Sequence, residues 1–257
     1  FSGCEKMTKI ILSGCFGHMG KVITDCVSKR ADCEIVAGVD IGSGTAAYPV
    51  FKSFSDVNVD ADVIIDFSHP SVLNGLLEFA VAKKMPAVIA TTGLSDEQVA
   101  KIHETAKEIP LFFSANMSIG ISLISELAAK AARVLEGSFD IEIVEAHHNQ
   151  KIDAPSGTAL MLANSISDAL TEKPHYEFDR HSKRQKRDKN EIGIHAIRGG
   201  TIVGEHEIIF AGLDEIIKIS HSARSKELFA VGAVNAALYL KGKEPGFYSM
   251  KQLIDEK

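Results

Sequence analysis

Between Glu145 and Thr158 the sequence EAHHNQKIDAPSGT gathers His147, His148, Lys151 and a Ser156-Gly157-Thr158 turn into one short polar stretch. An imidazole exchanges protons near neutral pH, a lysine ammonium neutralises an anion or donates a proton, and a Ser-Gly-Thr helix start offers backbone N–H groups. Protonation of a small anionic substrate is the chemistry that suits this set. Adjacent histidines at an extended strand end point to opposite sides, so no metal site is expected here. Ser156 acting as a nucleophile with a histidine base is the competing reading. Against it, the G-x-S-x-G elbow is missing, and Pro155-Ser156-Gly157-Thr158 reads as a helix cap that binds an anion.

A second constellation lies near the start of the chain. Gly14-Cys15-Phe16-Gly17-His18-Met19-Gly20 falls between an apolar run and a helical pattern, where helix N–H groups and the positive dipole end face a phosphate. The spacing is G-x-x-G-x-x-G instead of G-x-G-x-x-G, and Phe16 stands where close backbone approach favours glycine. Asp40, about twenty residues on, ends the next strand pattern, where a carboxylate accepts hydrogen bonds from a ribose. Ile41 and Gly42 follow it in place of an arginine, so NADH is expected to serve at least as well as NADPH, with Lys52 able to alter that balance. Ala90-Thr91-Thr92-Gly93 and Ala115-Asn116-Met117-Ser118 follow later strand patterns, where loops at the carboxyl ends of strands converge on a ligand.

These groups need a scaffold to hold them. Strands are expected at Lys9–Leu12, Glu34–Val39, Asp62–Phe67, Ala87–Thr91 and Leu111–Phe113, with helices at Lys21–Lys29, Ser71–Lys84 and Ser95–Glu108 between them. Such alternation predicts an α/β fold: a doubly wound, Rossmann-type parallel sheet covered on both faces. A long helix from Ser118 to Leu135 then leads into a second, α+β domain. There Phe139–Glu145, Gly193–Arg198, Val203–Phe210 and Ile216–Ser222 read as strands of a mixed open sheet, and Ser156–Leu170 as a helix. Glu227–Leu240 returns to helix and is expected to pack back on the first domain. The resulting division is 7–117 with 226–257 for dinucleotide binding and 118–225 for substrate binding and oligomerisation, hinged near Met117 and Ser225.

Composition narrows the class. The chain has 257 residues, 45% hydrophobic and 24% charged, and no apolar run nears the ~20 residues of a membrane span. Its net charge of −6 argues against general nucleic-acid binding, and the basic run Arg180–Lys189, without interleaved aromatics, reads as a solvated loop. Cys4, Cys15, Cys26 and Cys33 form no C-x-x-C pair, which fits a reducing cytoplasm. Phe1–Lys6 lack the features of a signal peptide and are set aside from fold reasoning.

The motif EAHHNQKIDAPSGTA closely resembles the signature of the 4-hydroxy-tetrahydrodipicolinate (dihydrodipicolinate) reductase family. GCFGHMG, DFSHP, ATTGLS, SANMSIGIS and RGGTIVGEHEIIFAG occur in the family's order, so the resemblance runs over nearly the whole chain from Met7. It implies an enzyme that uses NADH or NADPH to pass a hydride to a cyclic imine dicarboxylate in the diaminopimelate route to lysine. By the same resemblance His147 is the proton donor with Lys151 as its cationic partner, while His148, Lys151, Ser156, Gly157 and Thr158 hold substrate carboxylates. The loop Gly14–Gly20 (with Cys15, Phe16, Gly17, His18 and Met19), Asp40, Ala90, Thr91, Thr92, Ala115, Asn116, Met117 and Ser118 correspond to cofactor contacts. A homotetramer built through the second domain's sheet is also implied. Two departures from the family pattern, Ala90 for a glycine and Phe16 in the first loop, bear on backbone clearance around the cofactor. A non-catalytic nicotinamide sensor remains the rival reading.

Overall fold

The structure is a computed structural model that describes residues 7–256, so Phe1–Lys6 lie outside the described residues. In chain order the regular elements are β1 (Thr8–Ser13), α1 (His18–Ser28), β2 (Cys33–Val39), β3 (Val50–Phe51), β4 (Val63–Asp66), α2 (Leu73–Lys83), β5 (Ala87–Ile89), α3 (Asp96–Thr105), β6 (Pro110–Phe113) and α4 (Ile119–Leu135). They continue with β7 (Asp140–His147), α5 (Gly157–Ala169), β8 (His175–Glu177), β9 (Glu191–Arg198), β10 (Gly204–Ala211), β11 (Ile216–Ala223), α6 (Glu227–Leu240), β12 (Gly246–Tyr248) and α7 (Met250–Asp255). The residues separate into two compact units, 7–119 with 226–256, and 120–225.

In the first unit seven strands pair in the order β12-β6-β5-β4-β1-β2-β3, every pair parallel. A strand with alternating side chains can be apolar throughout only if both faces are covered. Ile10 and Leu12 of β1 and Val63 and Ile65 of β4 pack with α1, α6 and α7, through Ile23, Ala233 and Leu253 among others. Ile11 and Ile64, pointing the other way, pack with Leu76 and Leu77 of α2 and Ile102 of α3. Each such fully buried aliphatic side chain contributes about 1.5–3 kcal/mol. The expected doubly wound parallel sheet is therefore present.

The second unit holds a five-stranded mixed sheet in the order β11-β10-β7-β9-β8. β10 runs antiparallel to β7 and β11, whereas β9 runs parallel to β7 and β8. One face is covered by α4 (Ile121, Ile124, Ala128) and α5 (Leu162, Ala163, Ile166), which pack on Ile143, Ile194, Ile208 and Phe210. Glu142 and His195, on the other face, join an ion network: Arg187 and Arg180 each reach Glu142, and His195 Nε2 lies 2.7 Å from it. The basic stretch expected to be solvated is thus partly tied down. Arg187 keeps only 18% of its side chain exposed while bonding Glu142, Asp140 and the carbonyls of Ile141 and Glu191.

Four short elements, β3, β8, β12 and α7, have no counterpart among the expected segments. Strands of two or three residues and a helix of six carry too little periodicity to be recognised. β7 also runs on to His147 where the sequence pattern suggested an end at Glu145, because β10 pairs with it as far as Ala146 and β9 as far as His147.

Candidate active site

The last residues of β7 set the geometry. Glu145 and His147, two apart on a strand, share one face, and their neighbours across the ladder are His206 of β10 and Arg198 of β9. Glu145 is fully buried and accepts four hydrogen bonds: His147 Nδ1 at 2.6 Å, the Ser156 amide at 2.9 Å and two from the Arg198 guanidinium at 2.8 Å each. Burial pushes its carboxyl up, but Arg198, then His147 and Ser156, outweigh that and leave it below the usual glutamate range. A buried carboxylate so surrounded is ionised and fixed in place.

His147 is 9% exposed. With Nδ1 engaged, its Nε2 faces Gly204, where an added Cβ would lie 3.1 Å away. Its ring meets that of His206 edge-on, centroids 5.2 Å apart. His206 Nε2 lies 3.1 Å from Ser156 Oγ. Burial, with His147 adding to it, pushes His206 down to about 4, so it is neutral at physiological pH.

Beyond the strand, Lys151 Nζ lies 2.8 Å from Asp153 Oδ1. The Asp153 carboxyl is held below its ordinary value by Lys151 first, and the Gly157 amide contributes to this. Ser156 caps α5, its Oγ accepting the Ala159 amide at 3.2 Å, and Gly157 and Thr158 open the helix. Lys151 and the α5 N-terminus therefore already cradle a carboxylate supplied by their own loop. His147, His148, Lys151, Ser156, Gly157 and Thr158 all fall in this region, with His148 half-buried at the strand's exit. Ser156 is 2% exposed, and its oxygen accepts the Ala159 amide as the cap of α5.

In the first unit, Gly14 takes a left-handed φ of +79° and Gly20 sits so close to the turn that a Cβ would lie 2.2 Å from the Gly14 carbonyl oxygen. Gly17 caps α1 without a side-chain bond, and His18, Met19 and Gly20 form its first turn. Asp40 accepts the amides of Phe16 at 2.9 Å and Gly42 at 2.7 Å. The Phe16 amide is thus spent on Asp40, and its ring lies against Gly44, where a Cβ would be 2.6 Å from it. Cys15 turns inward beside Gly38, and burial raises its thiol to about 11.

Gly14, Gly17, Asp40, Ser43 and Lys52 line a cleft of about 930 Å³. Phe67 and Ser68 also border a hollow of about 360 Å³ walled by Met19, Ala90, Thr91, Thr92, Ala115 and Met117. Asn116 and Ser118 stand in the turn into α4, the Ser118 amide bonding Asn116 Oδ1 at 2.9 Å. The Thr91 hydroxyl donates to buried Asp66 at 2.6 Å and accepts the Ser68 amide at 3.0 Å, so its side chain braces the loop. A tight glycine turn, an uncapped helix start and a carboxylate at the cleft edge fit a dinucleotide.

Sequence models of the dihydrodipicolinate reductase N-terminus and C-terminus match residues 8–117 and 120–254. The chain belongs to the dihydrodipicolinate reductase family. It is 52% identical over 248 residues to the 4-hydroxy-tetrahydrodipicolinate reductase of Caldanaerobacter subterraneus subsp. tengcongensis, covering 96% of this chain and 98% of that protein. A relative of the same name from Clostridium botulinum is 51% identical over 249 residues, covering 96% and 98%. The fold is similar to that of a dipicolinate-bound dihydrodipicolinate reductase from Paenisporosarcina sp. TG-14, with TM-score 0.80 and 24% identity, covering 95% of this chain and 97% of that one.

Sequence reasoning passed over Arg198 and His206 and saw Glu145 only as the first residue of the motif. The one local signal was the Glu-x-His spacing at the end of a strand pattern, which puts both side chains on one face.

Outside this region, His175, Glu177 and Glu191 bring three potential ligand atoms within 4.8 Å of one another. Both carboxylates are already held by cations, Lys183 on Glu177 and Arg180 on Glu191.

Proposed function

We propose that this chain reduces 4-hydroxy-tetrahydrodipicolinate to tetrahydrodipicolinate in lysine and diaminopimelate biosynthesis, with His147 as the proton donor. The first unit binds the dinucleotide and the second binds the substrate. A reduced nicotinamide, when bound, supplies the hydride. Lys151, His148 and the α5 start at Ser156-Gly157-Thr158 hold the substrate carboxylates, and His147 Nε2 delivers a proton to the carbon left electron-rich by hydride addition. The observation that carries this reading is the Asp153 carboxylate on Lys151, in the loop that follows a strand-end histidine whose Nδ1 is anchored. A loop that already receives one carboxylate supports its use for a dicarboxylate substrate.

In the first unit, the Gly14–Gly20 turn and α1 take the pyrophosphate and Asp40 the ribose, while Ala90, Thr91, Thr92 and Ala115–Ser118 border the nicotinamide. NADH serves at least as well as NADPH, because no arginine follows Asp40; Lys52 is the cation that admits the 2′-phosphate. Its Nζ is steered to the Asp40 turn by the carbonyls of Ile41 (3.1 Å) and Gly42 (2.6 Å). We place the enzyme in the cytoplasm as a homotetramer assembled through the face of the second sheet opposite α4 and α5, where Ile197 is 52% exposed and Ile216 63%. No helix among the described residues is long and apolar enough to cross a membrane.

Stopped-flow absorbance with NADH and NADPH in parallel, on enzymatically generated substrate, tests reaction and cofactor together. Oxidation should require the substrate, and His147→Gln should lower kcat by about 10²-fold or more with little change in cofactor affinity. Cofactor binding without substrate-dependent turnover would favour the sensor reading instead. Sedimentation should give a mass four times that of the 27.7 kDa chain.

A further inference from the structure

Glu145 is fully buried beside His147 and bonded to its Nδ1. Its four hydrogen bonds come from three directions: its own strand, β9 and the start of α5. Arg198 is anchored in turn to the Ile197 carbonyl at 2.7 Å and the Asp153 carbonyl at 2.6 Å. Neither carboxylate oxygen can move without breaking a bond to a buried partner, which costs about 1–3 kcal/mol. An ionised carboxylate accepts only, so the nitrogen facing it must carry a proton in both charge states of the ring. Across the ring, Gly204 presents no side chain to Nε2.

We propose that Glu145, clamped by Arg198, is a positioning residue that fixes the tautomer of His147, reserving Nε2 for proton delivery, and that Gly204 keeps the approach to Nε2 open. This deepens the reading of His147 as the acid and rests on it. In the step, the imidazolium Nε2–H bond breaks as a C–H bond forms on the substrate. The ring is left neutral with its proton on Nδ1, and solvent returns the Nε2 proton. The groups facing His147 are Glu145 on its own strand, Arg198 on β9 behind the carboxylate, and neutral His206 on β10. His221 on β11 and Lys151 in the loop act on His206 at longer range. Of these, Glu145 is the one directly bonded to the ring.

The test combines nitrogen-15 NMR of histidine-labelled full-length enzyme with steady-state kinetics. In the wild type at alkaline pH, His147 should be the Nδ1–H tautomer. Glu145→Gln keeps an acceptor but removes the charge. It should cut kcat by about 30- to 300-fold with KM within about threefold, and let the Nε2–H tautomer of His147 appear in the nitrogen-15 spectrum. Glu145→Asp should recover part of the loss. Gly204→Ala should lower kcat by about tenfold or more while leaving the tautomer unchanged, a readout that stands if Glu145→Gln does not fold. An Nε2–H tautomer in the wild type, or a Glu145→Gln enzyme with near-normal kcat and an unchanged His147 tautomer, overturns the inference. If His147→Gln itself turns over normally, the acid assignment fails first, which separates the two failures.

Discussion

Lys151 Nζ and Asp153 Oδ1 lie 2.8 Å apart, so the ammonium assigned to a substrate carboxylate already holds one from two residues along its own loop. The pair is partly exposed, Lys151 at 22% and Asp153 at 58% of the side chain, and exchange of one carboxylate for another costs little in such a setting. A substrate carboxylate can take over the ammonium without leaving a buried charge behind.

Lys151→Met should therefore weaken binding of dipicolinate, used as a non-reacting dicarboxylate, by about tenfold or more, because charge-assisted hydrogen bonds are worth about 1.5–3 kcal/mol. Isothermal titration reads this directly. Equal affinities for the variant and the wild type would remove Lys151 from the carboxylate cradle.

Lys52→Ala should separate the two cofactors. NADPH carries a 2′-phosphate that needs a cation, and Lys52 lines the cleft beside Asp40. The KM for NADPH is expected to rise about tenfold, with NADH changed by no more than about twofold. A parallel rise for both cofactors would assign Lys52 to packing of the Asp40 turn.

Gly20→Ala probes the phosphate loop through its backbone. Its Cβ would lie 2.2 Å from the Gly14 oxygen and 2.7 Å from the Cys15 carbonyl carbon, and neither atom is the end of a flexible side chain. The expected outcome is a loss of about 2–3 kcal/mol in stability, together with weakened binding of both dinucleotides. Urea denaturation followed by cofactor fluorescence titration would show it, and an unaltered midpoint would mean the turn opens more easily than its geometry implies.

His206 ties stability to pH. Its folded-state value of about 4 lies below its ordinary 6.5, so the unfolded chain binds the proton more readily than the folded one. The ring contributes no pH dependence well above pH 6.5. As pH falls from 6.5 toward 4 its protonation favours unfolding, and below about 4 the effect levels off at roughly 3 kcal/mol. His206→Gln should flatten the fall in urea midpoint over that window while retaining a polar partner for Ser156. A wild-type midpoint that stays level from pH 7 to 4, with no other group compensating in the variant, would contradict the burial argument.

The first sheet is legible in the chain because its strands are apolar on both faces: IILS, VIID and AVI stand out without any three-dimensional knowledge. β12 is not, since Gly246-Phe247-Tyr248 gains its meaning only from pairing with Pro110, Leu111 and Phe112, far earlier in the chain. The proposed site divides the same way. The histidines, lysine and cap are contiguous and could be read as a group. Arg198 lies 53 residues from Glu145 and His206 lies 50 from Ser156; only the register of β9 and β10 against β7 makes them neighbours. Arg180 and Arg187 looked like solvated charge because the carboxylates that receive them, Glu142 and Glu191, sit on strands whose outer face cannot be recognised before the sheet is known.

The first unit's sheet takes one of its two edge strands, β12, and one covering helix, α6, from residues made after the whole of the second unit. During synthesis the nascent chain therefore exposes the β6 edge and the apolar side of β1 and β4 until the last segment emerges. The second unit, whose sheet and helices are contiguous in sequence, has all its parts sooner. On the ribosome the order of completion is thus inverted: the unit whose first strands are made before the second unit closes after it, and a product stalled before β12 would present the β6 edge to its neighbours.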